Sequence, residues 1–120
     1  MIVRMWHGRV ATEKAARYRA FLNERAIPDY RSVDGNESVY ILERADGAVT
    51  HFITMTMWRD EAAIRAFAGD ELTRAKYYPE DQEFLLEFEP NVVHYAVMGG
   101  APGAAGSDSP PAAGSYSRQP

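Results

Sequence analysis

Apolar residues in this chain alternate in some stretches and recur every three or four positions in others. The two periods divide it into elements. In Val49–Trp58, Ile53, Met55 and Met57 point one way, and Phe52, Thr54, Thr56 and Trp58 point the other. A strand sends successive side chains to opposite faces, so this spacing predicts a central strand with both faces occupied. Asp60 follows, placed to cap a helix through its carboxylate. Ile64, Phe67 and Ala68 then recur at helical spacing, and Gly69 is a natural stop.

The same reading extends to the rest of the chain. Ile2–Val10 is a strand with Val3, Met5 and His7 on one face and Arg4, Trp6 and Gly8 on the other. Thr12 caps a helix whose apolar side carries Ala15, Tyr18, Phe21 and Leu22, and Pro28 ends or bends it at about Ile27. Ser38–Ala45 alternates again, and Asp46-Gly47 signals a hairpin into Val49–Trp58. Beyond the second helix, Asp70 caps a further helical turn over Leu72–Tyr78, closed by Pro79. The acidic run Glu80–Glu89 reads as a solvated face, and Val92–Met98 is the last strand.

The element order is β-α-β-β-α-β, an α+β ferredoxin-like arrangement. Right-handed crossovers give an antiparallel sheet of order 4-1-3-2. Two helices cover one sheet face. The other face carries Trp6 or Met5, Tyr40 or Ile41, and Tyr95 with nothing in the chain to cover them. An aromatic sheet face does not stay wet, so a homodimer joined sheet to sheet is expected. From Gly99 onward the chain is almost all Gly, Ala, Pro and Ser. Residues 1–98 are therefore read as the domain and 99–120 as a disordered tail with nothing to bury.

Composition narrows the partners. A formal net charge of −4 gives no electrostatic case for nucleic acid. The absence of cysteine excludes disulfides and zinc–thiolate sites and agrees with a cytoplasmic protein. No apolar run approaches the ~20 residues that span a bilayer, so no membrane association is expected. The N-terminus lacks the long apolar core of a signal peptide. Nucleotide-binding loops and a nucleophilic serine motif are missing, so no cofactor is predicted.

His7, His51 and His94 are the side chains suited to proton transfer near neutral pH. With the first and third strands taken as parallel, His7 lies late and His51 early, roughly 10–15 Å apart at the rise of a strand. On that register they cannot share a metal, and His94 on the last strand is the neighbour of His7. No metal site is expected. Aromatic residues are dense, and Trp6, Trp58, Phe67, Tyr77 and Tyr78 would suit a flat aromatic or hydrophobic ligand.

The run W-R-D-E-A-A-I-R-A-F-A-G from Trp58 to Gly69, with A-K-Y-Y-P-E-D from Ala75 to Asp81 and F-E-P-N-V-V-H-Y from Phe88 to Tyr95, resembles the antibiotic biosynthesis monooxygenase-like family. The resemblance spans about Met1–Val97 in element order. It implies a dimeric α/β barrel with a pocket in each protomer, and a cofactor-free monooxygenase acting on an electron-rich aromatic or polyketide-like substrate. The alternatives it leaves are a non-catalytic ligand-binding protein and a haem-binding or haem-degrading one. In haem-degrading relatives an Asn, an aromatic and a His occupy places that His7, Phe67 and Tyr77 hold here. The expected chemistry has His7, with Tyr77 or His94, remove a proton. Trp6, Trp58, Phe67 and Tyr78 line the substrate pocket between the sheet and the second helix.

Overall fold

The computed structural model describes residues 1–103. Four strands, β1 (Ile2–Ala11), β2 (Asn36–Asp46), β3 (Val49–Trp58) and β4 (Val93–Ala96), form one sheet in the order β2-β3-β1-β4. This is the expected order, and the fold is the α+β ferredoxin-like one. Residues 99–103 are exposed and irregular, and the rest of the expected tail lies outside the described residues. No described helix is long and apolar enough to cross a membrane.

One expectation about the sheet is corrected. β1 and β3 are antiparallel, with Gly8 opposite Phe52 and Arg9 opposite His51. The topology requires it. The crossover makes β1 and β2 co-directional, and the hairpin at Gly47 reverses the chain into β3. His7 and His51 therefore sit on diagonally adjacent positions instead of far apart. β4 pairs with the opening of β1, which puts His94 opposite Arg4 and away from His7.

The first helical stretch covers residues 12–31. It is a 3-10 turn (Thr12–Lys14), an α-helix (Ala15–Phe21), a π turn (Leu22–Ala26) and a last α segment (Ile27–Arg31). Thr12 does not cap it. Its hydroxyl donates to the Gly47 carbonyl at 2.8 Å and meets the Thr50 hydroxyl at 2.9 Å, tying the helix start to the hairpin. Pro28 does not end it either. Proline lacks the donor that the helix ladder needs, and the wider π turn just before it absorbs the mismatch.

The second helix, Glu61–Ala68, is capped as expected, with the Asp60 carboxylate accepting from the Ala63 amide at 2.9 Å. The expected helical turn at Leu72–Tyr78 is instead an extended strap. It is paired with the segment before β4 through Val92 N to Thr73 O at 2.8 Å and Ala75 N to Pro90 O at 2.9 Å. A short 3-10 helix, Pro79–Glu83, follows.

The core lies between the helices and one sheet face. Val10, Tyr18, Phe52, Trp58 and Ile64 are fully buried there. The Trp6 ring lies across Gly8, where a Cβ would fall 2.3 Å from the ring. The other face carries Met5, His7, Tyr40, Leu42, Ile53, Met55, Met57, Val93 and Tyr95, with Val93 and Tyr95 more than half exposed.

Arg4 is the unexpected core residue. It is 3% exposed, and its guanidinium donates to the carbonyls of Leu72 and Arg74. A third contact runs at 3.1 Å to Nε2 of His94. Arginine can only donate, so this nitrogen must be the bare acceptor of a neutral imidazole. Burial and then the Arg4 charge lower the His94 pKa, and Glu61 on the second helix opposes them weakly. A histidine held neutral in the fold takes up a proton more readily when unfolded, so its stabilising effect is present above about pH 6.5 and is lost as pH falls. The urea midpoint of the wild type should therefore drop between pH 7.5 and 5.5 by more than that of His94→Gln, which keeps an acceptor but does not titrate. Equal drops in both proteins would contradict this account.

Candidate functional site

A narrow cleft, with a cavity volume of about 20 Å³, opens between the sheet, the first helical stretch and the strap. Trp6 and Thr54 come from the sheet, Tyr18, Leu22, Ala26 and Tyr30 from the helix, and Lys76, Tyr77, Tyr78 and Asp81 from the strap and the turn after it. The sheet alternation that buries Trp6 beside Gly8 aims its indole into the cleft. The helical spacing of Tyr18, Leu22, Ala26 and Tyr30 supplies one continuous wall.

The polar groups of the cleft are ordered by one another. The Trp6 indole N–H donates to the Tyr77 hydroxyl at 3.3 Å, and that hydroxyl donates to the Glu89 carbonyl. The Tyr78 hydroxyl donates to the Asp29 carboxylate, which also holds the Lys76 ammonium at 3.3 Å. Asp81 is 3% exposed. It accepts from the Tyr78 amide at 2.6 Å and from the Tyr18 hydroxyl at 3.3 Å. Burial pushes the Asp81 carboxyl above its ordinary range, although the Tyr78 amide and Tyr18 hydroxyl pull the other way. Burial likewise raises Tyr18, Tyr30, Tyr77 and Tyr78, and nearby carboxylates add to the shift in each. The four phenols therefore stay protonated at neutral pH and act as hydrogen-bonding groups.

The expected site residues divide between places. Trp6, Tyr77 and Tyr78 come together in the cleft. Phe67 stacks on Tyr30 at 4.6 Å with the Lys76 ammonium 4.2 Å above it, forming part of the wall behind the cleft. Trp58 is fully buried against Phe67 and touches no open space. His94 is engaged with Arg4. His7 is on the opposite, helix-free face, so the expected His7–His94 pair does not form and His7 is not the base of this cleft. The cleft itself lies beneath the first helix, not the second as expected.

On the helix-free face, Nδ1 of His7 meets the Glu89 carboxylate, and Nε2 lies 2.9 Å from Nδ1 of His51. Nε2 of His51 is 3.7 Å from the Asp46 carboxylate. Beside them a second cleft of about 220 Å³ is lined by His7, Leu42, Glu43, Arg44, His51 and Ile53.

Sequence reasoning missed Asp81, Asp29 and Lys76. Asp81 was hidden in an acidic run read as solvated. The available signal was its place three residues after Tyr78, ahead of a proline-led turn, where its carboxylate caps that turn. Asp29 and Lys76 carried no signal, because their meeting depends on the strap crossing the end of the helix.

Comparison with known proteins follows the fold. The family model for antibiotic biosynthesis monooxygenase matches residues 1–75. No curated protein matches the chain. Among solved structures, a candidate antibiotic biosynthesis monooxygenase from Nitrosomonas europaea superposes with a TM-score of 0.60 at 19% identity, covering 82% of this chain and 99% of the other. Rv0793 from Mycobacterium tuberculosis superposes at 0.55 with 21% identity, covering 85% and 100%. A monooxygenase from the gene ActVA-Orf6 of Streptomyces coelicolor, in complex with the ligand nanaomycin D, superposes at 0.56 with 17% identity, covering 86% and 92%. These likenesses are those of a shared fold. The family match takes in all of β1, β2 and β3 and both helices, well over half of the sequence, and so the chain belongs to the antibiotic biosynthesis monooxygenase family.

Proposed function

We propose that this protein is a monooxygenase-type enzyme that takes an aromatic, polyketide-like phenol into the cleft beneath the first helix. It needs no cofactor of its own and acts in the cytoplasm as a homodimer. The observation that carries this reading is Asp81, a buried carboxylate lifted by desolvation at the wall of an aromatic cleft. A carboxylate so placed is a better base than one in water. Family membership supports the reaction class, and the neighbour from Streptomyces coelicolor holds nanaomycin D.

For a hydroxyanthrone the steps balance. Asp81 removes a proton from the ring methylene, and the resulting carbanion is delocalised as a phenolate. It gives its electrons to dioxygen with formation of a C–O bond. The hydroperoxide then loses water to leave a carbonyl. The ring methylene and one dioxygen thus become a ring carbonyl and one water, with both methylene hydrogens leaving in that water. The Trp6–Tyr77 pair orients the substrate ring. With a cavity volume of about 20 Å³ the closed cleft has room for little more than a water molecule, so a three-ring substrate requires the strap to move outward. Two backbone bonds hold that strap to the segment before β4.

Haem does not fit these residues. The Tyr77 hydroxyl is committed to Trp6 and Glu89, and Nε2 of His94 is committed to Arg4. The aromatic wall behind the cleft is filled by packed side chains.

Asp81→Asn should slow oxidation of 1,8-dihydroxyanthrone by about 10²-fold or more, read as oxygen uptake and carbonyl product above the spontaneous rate. The wild-type rate should rise with pH through a point above the ordinary carboxylate range, because only the ionised Asp81 is a base. A wild type that binds the anthrone without accelerating its oxidation would favour the non-catalytic binding reading. An Asp81→Asn variant at full rate would remove Asp81 from the mechanism.

The homodimer rests on the uncovered face around Met5, Met55, Met57, Val93 and Tyr95. In light scattering the wild type should weigh twice the 13.4 kDa chain. Val93→Lys combined with Tyr95→Lys should weigh the mass of one chain, since burying two unpaired charges opposes association. A wild-type mass of one chain would contradict the dimer.

A further inference from the structure

We propose that His7 and His51 form a binding site for a divalent first-row transition metal, copper foremost, on the face opposite the aromatic cleft. The facing nitrogens, Nε2 of His7 and Nδ1 of His51, stand 2.9 Å apart. Two nitrogens each ~2.0–2.1 Å from one ion and at right angles to each other stand ~2.9 Å apart. That angle suits the tetragonal preference of Cu2+ and Ni2+, and imidazole is a ligand these ions favour.

The outer nitrogens strengthen the case. Nδ1 of His7 meets the Glu89 carboxylate, and Nε2 of His51 faces Asp46 at 3.7 Å. Metal-bound histidines characteristically give their second N–H to a carboxylate, which fixes the tautomer and raises ligand basicity. His7 has this bond already, and Asp46 lies one small side-chain shift from giving it to His51. The two carboxylates together carry the charge that a divalent ion neutralises.

Binding balances without net loss of a proton from the pair. In the metal-free pair the proton on Nδ1 of His51 bridges to Nε2 of His7. When the metal takes both facing nitrogens, that proton moves to Nε2 of His51, where Asp46 accepts it. No group of three or more ligating side chains occurs among the described residues, so the remaining positions on the metal belong to water. The cleft of about 220 Å³ beside the pair gives that water room. In the single chain His7 and His51 keep 34% and 21% side-chain exposure, and they lie at the hairpin end of the face, away from the Val93 and Tyr95 end proposed as the dimer seam.

The site also explains why the hairpin end of the sheet is charged while the rest of that face is apolar. Arg9 pairs with Glu87 at 2.7 Å and Arg44 lies 3.8 Å from Asp46, framing the pair. A metal here would clamp β1 to β3 and, through Glu89, to the segment leading into β4.

The test is titration of the tag-free full chain with cupric chloride near pH 7.5, read by calorimetry and electron paramagnetic resonance. The expected result is one Cu2+ per chain with hyperfine coupling from two imidazole nitrogens. In the wild type, Cu2+ should broaden the ring resonances of His7 and His51 and spare those of His94, a readout that needs no variant to fold. His51→Ala should abolish the two-nitrogen signal, and Glu89→Gln should weaken binding by about 10–100-fold. Absence of stoichiometric binding, broadening at His94 in place of His7 and His51, or an unchanged signal in His51→Ala would each overturn the proposal and leave the pair as a hydrogen bond alone.

Discussion

The buried guanidinium of Arg4 is the constraint on which the arrangement of this molecule depends. Removing a charge from water costs several kcal/mol unless each donor finds a partner. Arg4 finds the carbonyls of Leu72 and Arg74 and the bare nitrogen of His94, with the Phe67 ring 5.9 Å away. These contacts fix three parts of the chain at once: the central strand, the strap that crosses over the cleft, and the last strand. Burial accordingly lowers the Arg4 pKa. The strap has no regular structure of its own, and this grip anchors its start, while Lys76 and Tyr78 are held farther along by Asp29 and Tyr77 by Trp6 and Glu89.

The strict alternation of β1 then separates the chemistry. Arg4, Trp6 and Gly8 face the helices, while Met5, His7 and Arg9 face away. The first set builds a cleft of aromatic rings and protonated phenols around a buried carboxylate. The second set meets β3 on a face that is apolar at one end and charged at the other. Glu89 stands at the junction. Its carbonyl accepts from Tyr77 on the cleft side, and its carboxylate meets His7 on the other. A single residue after the turn therefore touches both candidate sites.

Most of the architecture was legible in the sequence because it rests on local periodicity. β3, the Asp60 cap and the hairpin at Gly47 each follow from a few adjacent residues. The family match and the sheet order agree with that reading. What could not be read was set by distant contacts. Thr12 is drawn from its capping role by the hairpin, and the π turn before Pro28 depends on packing of the whole helix. The strap lacks the helical turn expected at Leu72–Tyr78 because it pairs with residues before β4. The His7–His51 contact was excluded by taking β1 and β3 as parallel, although the hairpin had already fixed them antiparallel. Asp81 was concealed by composition: an acidic run looks solvated until its one buried member is placed beneath Tyr18.

Which face of the sheet receives the substrate decides between the two candidate sites. The direct measurement is an anaerobic titration of the isotope-labelled protein with 1,8-dihydroxyanthrone, followed by nuclear magnetic resonance. The account predicts shifts of the Trp6 indole N–H and of the Tyr77 and Tyr78 rings, with the His7 and His51 rings unmoved. Shifts confined to His7 and His51, with Trp6 and Tyr77 undisturbed, would contradict it.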